Sequence, residues 1–100
     1  MESITPAELA ALGEDVRIID VREVDEVAAV RIPFAVNIPM SVIVERIAEV
    51  PQEETVYVLC AAGARSAKVT GYLEQQGFDV VNVSGGISEW AASGHPVERG

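Results

Sequence analysis

Residues 55–66, TVYVLCAAGARS, constrain this chain more than any other stretch: an apolar run delivers the only cysteine into a small, glycine-bearing loop closed by an arginine. Val56, Tyr57, Val58 and Leu59 are rich in β-branched and aromatic side chains, the pattern of a parallel strand buried on both faces. Cys60 then stands where the strand leaves its sheet. Ala61, Ala62, Gly63 and Ala64 are all small, Arg65 and Ser66 follow, and helical spacing begins with Val69, Tyr72 and Leu73. Small side chains let the loop curl so that successive backbone N–H groups point at one spot, and Gly63 supplies the positive φ such a curl usually needs. A thiolate there gains from those N–H groups, from the N-terminal end of the helix, and from Arg65 if its guanidinium folds back. Such settings lower a cysteine pKa from about 8.5 to roughly 3.5–7.5. A lone cysteine at a strand end is more often inert core; the loop composition and the arginine favour a reactive one.

One hundred residues fit a single domain over residues 1–100, large enough to bury about two thirds of its unfolded surface. With 49% of residues hydrophobic, it can fold without disulfides or metal. Sixteen acidic residues against seven basic ones give a net charge of −9, which opposes binding to nucleic acid or an anionic membrane. Met1-Glu2-Ser3 opens without a basic leader, and no apolar run approaches the ~18 residues of a membrane span. A cytoplasmic protein is expected. One cysteine allows no internal disulfide, no multi-cysteine zinc site and no resolving thiol within the chain, so any disulfide chemistry involves a second molecule. No metal or other cofactor is expected.

Along the chain, Ile4 begins a short edge strand. Thr5-Pro6-Ala7-Glu8 reads as a capping box with proline at the first position of a helix that reaches about Leu12 and ends at Gly13. Residues 16–19 make the first central strand and hand over at Asp20-Val21-Arg22. Residues 23–30, with Val24, Val27 and Ala28 at helical spacing, predict a second helix, and residues 35–38 a brief strand stopped by Pro39. Ser41 is the expected N-cap of a helix whose Ile43, Val44, Ile47 and Val50 form one apolar face, ended by Pro51. Gln52, Glu53 and Glu54 read as a solvated turn. Gly77 and Phe78 fit the C-terminal cap of the helix after the cysteine loop. Residues 80–83 make the last strand, and Ser84-Gly85-Gly86 turns into a final helix carrying Ile87, Trp90 and Ala91. Trp90 is expected in the core. Ser93-Gly94-His95-Pro96 ends that helix, His95 being expected as an exposed tail residue rather than a base for Cys60, and the tail has no assigned role.

Strands alternating with helices imply an open α/β sheet with mostly parallel strands and helices on both faces, in which ligands bind beyond the carboxyl ends of the strands. Residues 20–22, 60–66 and 84–86 all fall at such ends and converge on one edge. Asp20 and Arg22 are read as an ion pair locking a strand exit, in preference to direct substrate contact.

The segment Cys60-Ala61-Ala62-Gly63-Ala64-Arg65-Ser66 does not stand alone. With Ile18-Ile19-Asp20-Val21-Arg22-Glu23, Ile32-Pro33, Ala35-Val36-Asn37-Ile38-Pro39 and Gly85-Gly86-Ile87 followed by Trp90, it resembles a single-domain rhodanese over nearly the whole chain. The resemblance implies a three-layer α/β/α fold around a mostly parallel five-stranded sheet, and sulfurtransferase activity. Cys60 would carry sulfane sulfur as a persulfide, taken from thiosulfate or from a protein or low-molecular-weight persulfide and passed to a thiol or cyanide. The backbone amides of Ala61, Ala62, Gly63, Ala64, Arg65 and Ser66 would hold the persulfide, Arg65 closing the loop and Asp20 and Arg22 supporting the wall. The implied partners are small sulfur donors and thiol acceptors, or a persulfide-carrying or thioredoxin-like protein, with no nucleic acid and no membrane; a monomer is expected.

Four residues separate Cys60 from Arg65, whereas the related phosphatases and arsenate reductases have a loop longer by one residue and hence a wider cradle. The short loop favours sulfur. Two other readings stand beside it, a rhodanese-like protein-binding module with an idle thiol and a cysteine-dependent phosphatase or arsenate reductase. The sequence also departs from the family in two places. Ala61 and Ala62 stand where members competent with thiosulfate often carry a basic or polar residue, so weak use of thiosulfate is expected and a protein persulfide is the alternative donor. The family's Gly-His-Ile-Pro-Gly stretch appears as Val30-Arg31-Ile32-Pro33-Phe34, with bulky residues in place of two turn glycines.

Overall fold

The computed structural model describes residues 1–100. Five strands, β1 (Glu2–Ile4), β2 (Arg17–Asp20), β4 (Val36–Asn37), β5 (Val56–Leu59) and β6 (Val80–Val83), form one parallel sheet in the order β1-β6-β5-β2-β4. A separate antiparallel ribbon pairs β3 (Val30–Arg31) with β7 (Glu98–Arg99). The helices are α1 (Pro6–Ala11), α2 (Val24–Ala29), α3 (Ala64–Gln75) and α4 (Gly86–Ala92), with one 3-10 turn at Ile47–Glu49.

Side chains alternate across a strand, and here neighbours are sorted to opposite faces of the sheet. Ile19, Val56 and Val58 join Val69 and Leu73 of α3 in a cluster of eleven buried residues. Ile18 and Leu59 join Leu9 of α1 and Ile87 and Trp90 of α4 in a cluster of seven. Helices therefore cover both faces, as the apolar runs predict. Each such Leu, Ile or Val taken fully out of water contributes roughly 1.5–3 kcal/mol before chain entropy is counted.

Local signals hold at several element ends. Thr5 Oγ1 accepts the Glu8 N–H at 3.1 Å while Glu8 Oε1 accepts the Thr5 N–H at 2.9 Å, with Pro6 in the first turn. At the end of α3 the Gly77 N–H donates to the Glu74 carbonyl and the Phe78 N–H to the Leu73 carbonyl, both at 3.1 Å, the two bonds of a Schellman cap.

Four expectations need correction. The edge strand ends at Ile4 rather than beginning there. No α-helix runs from Ser41: residues 40–46 form consecutive turns with one i→i+4 bond, from the Arg46 N–H to the Val42 carbonyl, before the 3-10 turn. The β-branched trio Val42, Ile43 and Val44 loses side-chain freedom in a helix, and the Ser41 hydroxyl donates to Glu23 Oε1 at 2.8 Å instead of capping. Ile43 and Val50 are buried by these turns, while Val44 is exposed. β6 is not the last strand, because the tail pairs with β3 and the Gly100 N–H donates to the Ala29 carbonyl at 3.1 Å. His95 is half-buried, its ring centroid 5.0 Å from that of Trp90, whose Nε1 donates to the Pro96 carbonyl at 2.8 Å.

That ribbon also accounts for the bulky residues at 30–34. Arg31 pairs with Glu98 at 3.3 Å and its Nη1 donates to the carbonyls of Val27 and Ala28, closing the last turn of α2. Phe34 meets Trp90 edge-on, with centroids 6.5 Å apart.

Candidate active site

Parallel register places the carboxyl ends of the central strands side by side, with Asp20 opposite both Leu59 and Asn37. The Val21 N–H donates to the Leu59 carbonyl at 2.8 Å, so the exit of β2 lies against the residue before Cys60. From the other side, the Ile87 and Ser88 N–H groups donate to the carbonyls of Cys60 and Ala61, both at 3.0 Å. Gly86 is what permits that approach. A Cβ there would overlap those two carbonyl oxygens, and its φ of +56° lies in the left-handed region. Residues 20–22, 60–66 and 84–86 do converge.

Within the loop, Gly63 takes φ +111° just before α3 begins, and its N–H donates to Cys60 Sγ at 3.1 Å. Cys60 Sγ and Ser66 Oγ lie 3.3 Å apart, within hydrogen-bond reach, and Ser66 Oγ is 2.6 Å from Asn82 Oδ1 on β6. Ser66 is fully buried, and one turn further on Thr70 Oγ1 donates to its carbonyl at 2.7 Å. Burial pushes the Cys60 thiol up, but the Ser66 hydroxyl and the main-chain N–H groups of Ser66, Gly63 and Ala62 outweigh it, and the net shift is down from the ordinary cysteine value. Ala61 is half-buried, and Ala62 and Ala64 are exposed.

Arg65 does not fold over the sulfur. Its Nη1 and Nη2 donate to Glu26 Oε1 and Oε2 at 2.7 and 2.9 Å, and both side chains are about a third exposed, at 37% and 34%. The hydrogen bonds from Arg65 hold the Glu26 carboxyl at about 2, well below the usual carboxylate range, and raise Arg65 in turn. The negative charge of a Cys60 thiolate adds to the rise at Arg65.

Asp20 and Arg22 form the expected ion pair, 2.7 Å between Nη2 and Oδ2, with both side chains almost wholly buried. Asp20 Oδ1 also accepts the Arg22 N–H and Nε–H, each at 3.0 Å. The Arg22 guanidinium donates further to the carbonyls of Val30 at 2.7 Å and Glu26 at 3.4 Å, tying β2, α2 and β3 together. Asn37 Nδ2 closes the same corner with 2.9 Å bonds to the carbonyls of Asp20 and Arg22. Asn82 and Glu26 escape a sequence reading. Asn82 carries a signal, a polar residue inside the apolar run of β6, whereas Glu26 is 39 residues from Arg65 and carries none.

A concavity of about 690 Å³ lies at the other end of β2 among Glu14, Asp15, Glu49 and Glu54 and is lined by neither cysteine nor histidine. Chemistry, not volume, locates the site at the loop.

A parallel sheet with helices on both faces, and one cysteine held by main-chain N–H groups between strand and helix, define a class. The rhodanese-like domain family model matches residues 5–93, and the chain belongs to that family. A sulfurtransferase of Allochromatium vinosum is 42% identical over 85 residues, covering 84% of this chain and 79% of the relative. The putative sulfurtransferase YtwF of Bacillus subtilis is 41% identical over 83 residues, covering 83% and 81%. A crystal structure of a rhodanese-related protein from Thermoplasma volcanium superposes with a TM-score of 0.93 at 35% identity, over 98% of each chain.

Proposed function

We propose that the chain is a sulfurtransferase that carries sulfane sulfur on Cys60. The observation that supports this most is the thiol itself. Its pKa is lowered by main-chain N–H groups and a hydroxyl converging from a loop of only four residues between Cys60 and Arg65, which favours one added sulfur atom over a larger oxyanion. In the first step the Cys60 thiolate attacks the outer sulfur of thiosulfate, forming the Sγ–S bond while the donor S–S bond breaks and its electron pair leaves with sulfite. A persulfide donor reacts in the same way, releasing its thiolate. The persulfide anion on Cys60 takes the place of the thiolate charge, and the N–H groups of Ala62, Gly63 and Ser66 stabilise it as an oxyanion hole would. In the second step cyanide or a thiolate attacks the terminal sulfur, giving thiocyanate or a new persulfide and returning the Cys60 thiolate. Asp20 and Arg22 support the wall of the site from within. Donor and acceptor proteins of the persulfide-carrying or thioredoxin-like kind, and a cytoplasmic setting, belong to the same proposal; no helix is long and apolar enough to cross a membrane.

The test is intact mass of the reduced protein before and after incubation with thiosulfate, and separately with a persulfidated donor protein. A gain of one sulfur atom, removed by cyanide and missing in Cys60→Ser, is expected. No gain from either donor, with the thiol titrating as free, would overturn the proposal in favour of a binding module.

A further inference from the structure

We infer that Glu26 is a specificity-determining residue of this site, engaging Arg65 so that the thiol disfavours doubly charged donors such as free thiosulfate and favours donors carrying at most one charge. The inference rests on the sulfur-carrier reading and goes beyond it. Arg65 is the only cation within residues 60–66. A guanidinium fork matches an oxyanion as well as it matches a carboxylate, so an unpaired Arg65 would be the natural seat for the anionic end of thiosulfate. Here both terminal nitrogens already donate to one carboxylate, at 2.7 and 2.9 Å.

That carboxylate is fixed from its own side as well. Glu26 is the third residue of α2, and its Oε1 also accepts the Glu23 N–H at 3.0 Å, so it is held in place whether or not a ligand is near. Asp25 adds a second carboxylate to the same first turn. The other arginine of this corner, Arg22, is buried against Asp20 and backbone carbonyls and offers no free fork. The main-chain N–H groups can stabilise one negative charge on sulfur. Within residues 60–66 no side-chain cation is left for a second, and the pair is exposed enough for an incoming ligand to meet the Glu26 charge directly.

The experiment compares wild type with Glu26→Gln and Glu26→Asp. Cys60 is alkylated with iodoacetate and with iodoacetamide, reagents of similar size that differ in charge, so their rate ratio cancels access to the sulfur. Thiosulfate-driven persulfidation is followed in parallel by intact mass. Glu26→Gln is expected to raise the iodoacetate-to-iodoacetamide ratio about fivefold and the thiosulfate rate about tenfold, both gains collapsing near 1 M salt. Glu26→Asp keeps the charge and is expected to stay within about twofold of wild type in the ratio. An unmoved ratio in Glu26→Gln overturns the inference, even if sulfur loads normally. Equal changes with both reagents in both variants also overturn it, marking Glu26 as a support of loop shape alone. A raised ratio with no sulfur loading from any donor supports charge selection at the thiol and instead removes the sulfur-carrier reading.

Discussion

Two arginine–carboxylate pairs sit at the carboxyl edge of the sheet, and they serve different ends. Arg22–Asp20 has 3% and 2% of its side chains exposed, shares five hydrogen bonds with Asp20 and the neighbouring carbonyls beyond its closest contact, and joins three segments of backbone. Arg65–Glu26 has equally short bonds but stands a third exposed beside the loop. Short distances alone therefore say little. In the first pair, solvent is absent and removing either charge leaves the other stranded; in the second, water and salt can take over from either partner, and the pair matters for what approaches the thiol.

The largest effect should come from breaking the inner pair. Arg22→Met leaves the Asp20 carboxylate buried without its partner and is expected to destabilise the fold by about 3–5 kcal/mol in urea denaturation. Arg65→Met should cost no more than about 1 kcal/mol in the same measurement. Equal losses for the two variants would erase the distinction.

Next in size is a change that touches neither pair and isolates the inner support of the thiol. Ser66→Ala strands the buried Asn82 amide and should cost about 1–3 kcal/mol. It should also move the Cys60 alkylation profile to higher pH, because a hydroxyl that favours the thiolate is gone. An unchanged profile would shift the credit to the backbone N–H groups alone.

The outer pair has a signature in acid. Glu26 is depressed in the folded protein from 4.5 to about 2, so its contribution is present in full above the unfolded value and is lost as pH falls from about 4.5 towards 2. Wild type should lose more stability across that window than Glu26→Gln, by less than about 1 kcal/mol given the exposure, and the difference should fade in high salt. The smallest effect belongs to a pair with no such neighbour: Arg17→Gln, which removes the exposed 3.0 Å contact to Glu54, should change the urea midpoint by no more than about 0.5 kcal/mol.

The same contrast explains what the sequence discloses. Asp20 and Arg22 stand two residues apart at a strand exit, so their pairing is legible from local geometry, as are the Thr5 cap, the Gly63 turn and the Gly77 end of α3. The apolar runs of β5 and β6 announce a parallel sheet because strands buried on both faces leave little choice of residue. Arg65 is different. It is legible as the loop's arginine, but its partner is one of sixteen acidic residues, brought close by the packing of α2 against the site. The turns at 40–46 fail as a helix for a related reason: four apolar residues at helical spacing satisfy the pattern, but Val44 faces solvent and Ser41 finds Glu23 across space. The ribbon of β3 and β7 has only two residues on each side, too few to carry a periodic signal.

The seat for the sulfur is made largely of main chain, and this divides the loop into fixed and free positions. Gly63 is fixed by its left-handed φ of +111°, Ser66 by its buried bond to Asn82, and Gly86, from outside, by carbonyl oxygens that leave no room for a Cβ. Ala62 and Ala64 are exposed and Ala61 half-buried, and a methyl group donates no hydrogen bond to the sulfur. Mutation can therefore rewrite what the loop admits, by placing charge or bulk at those three positions, while the apparatus that steadies the sulfur stays as it is. A scaffold arranged in this way is evolvable: new side chains can be tried one alanine at a time without first disturbing the bonds around Cys60.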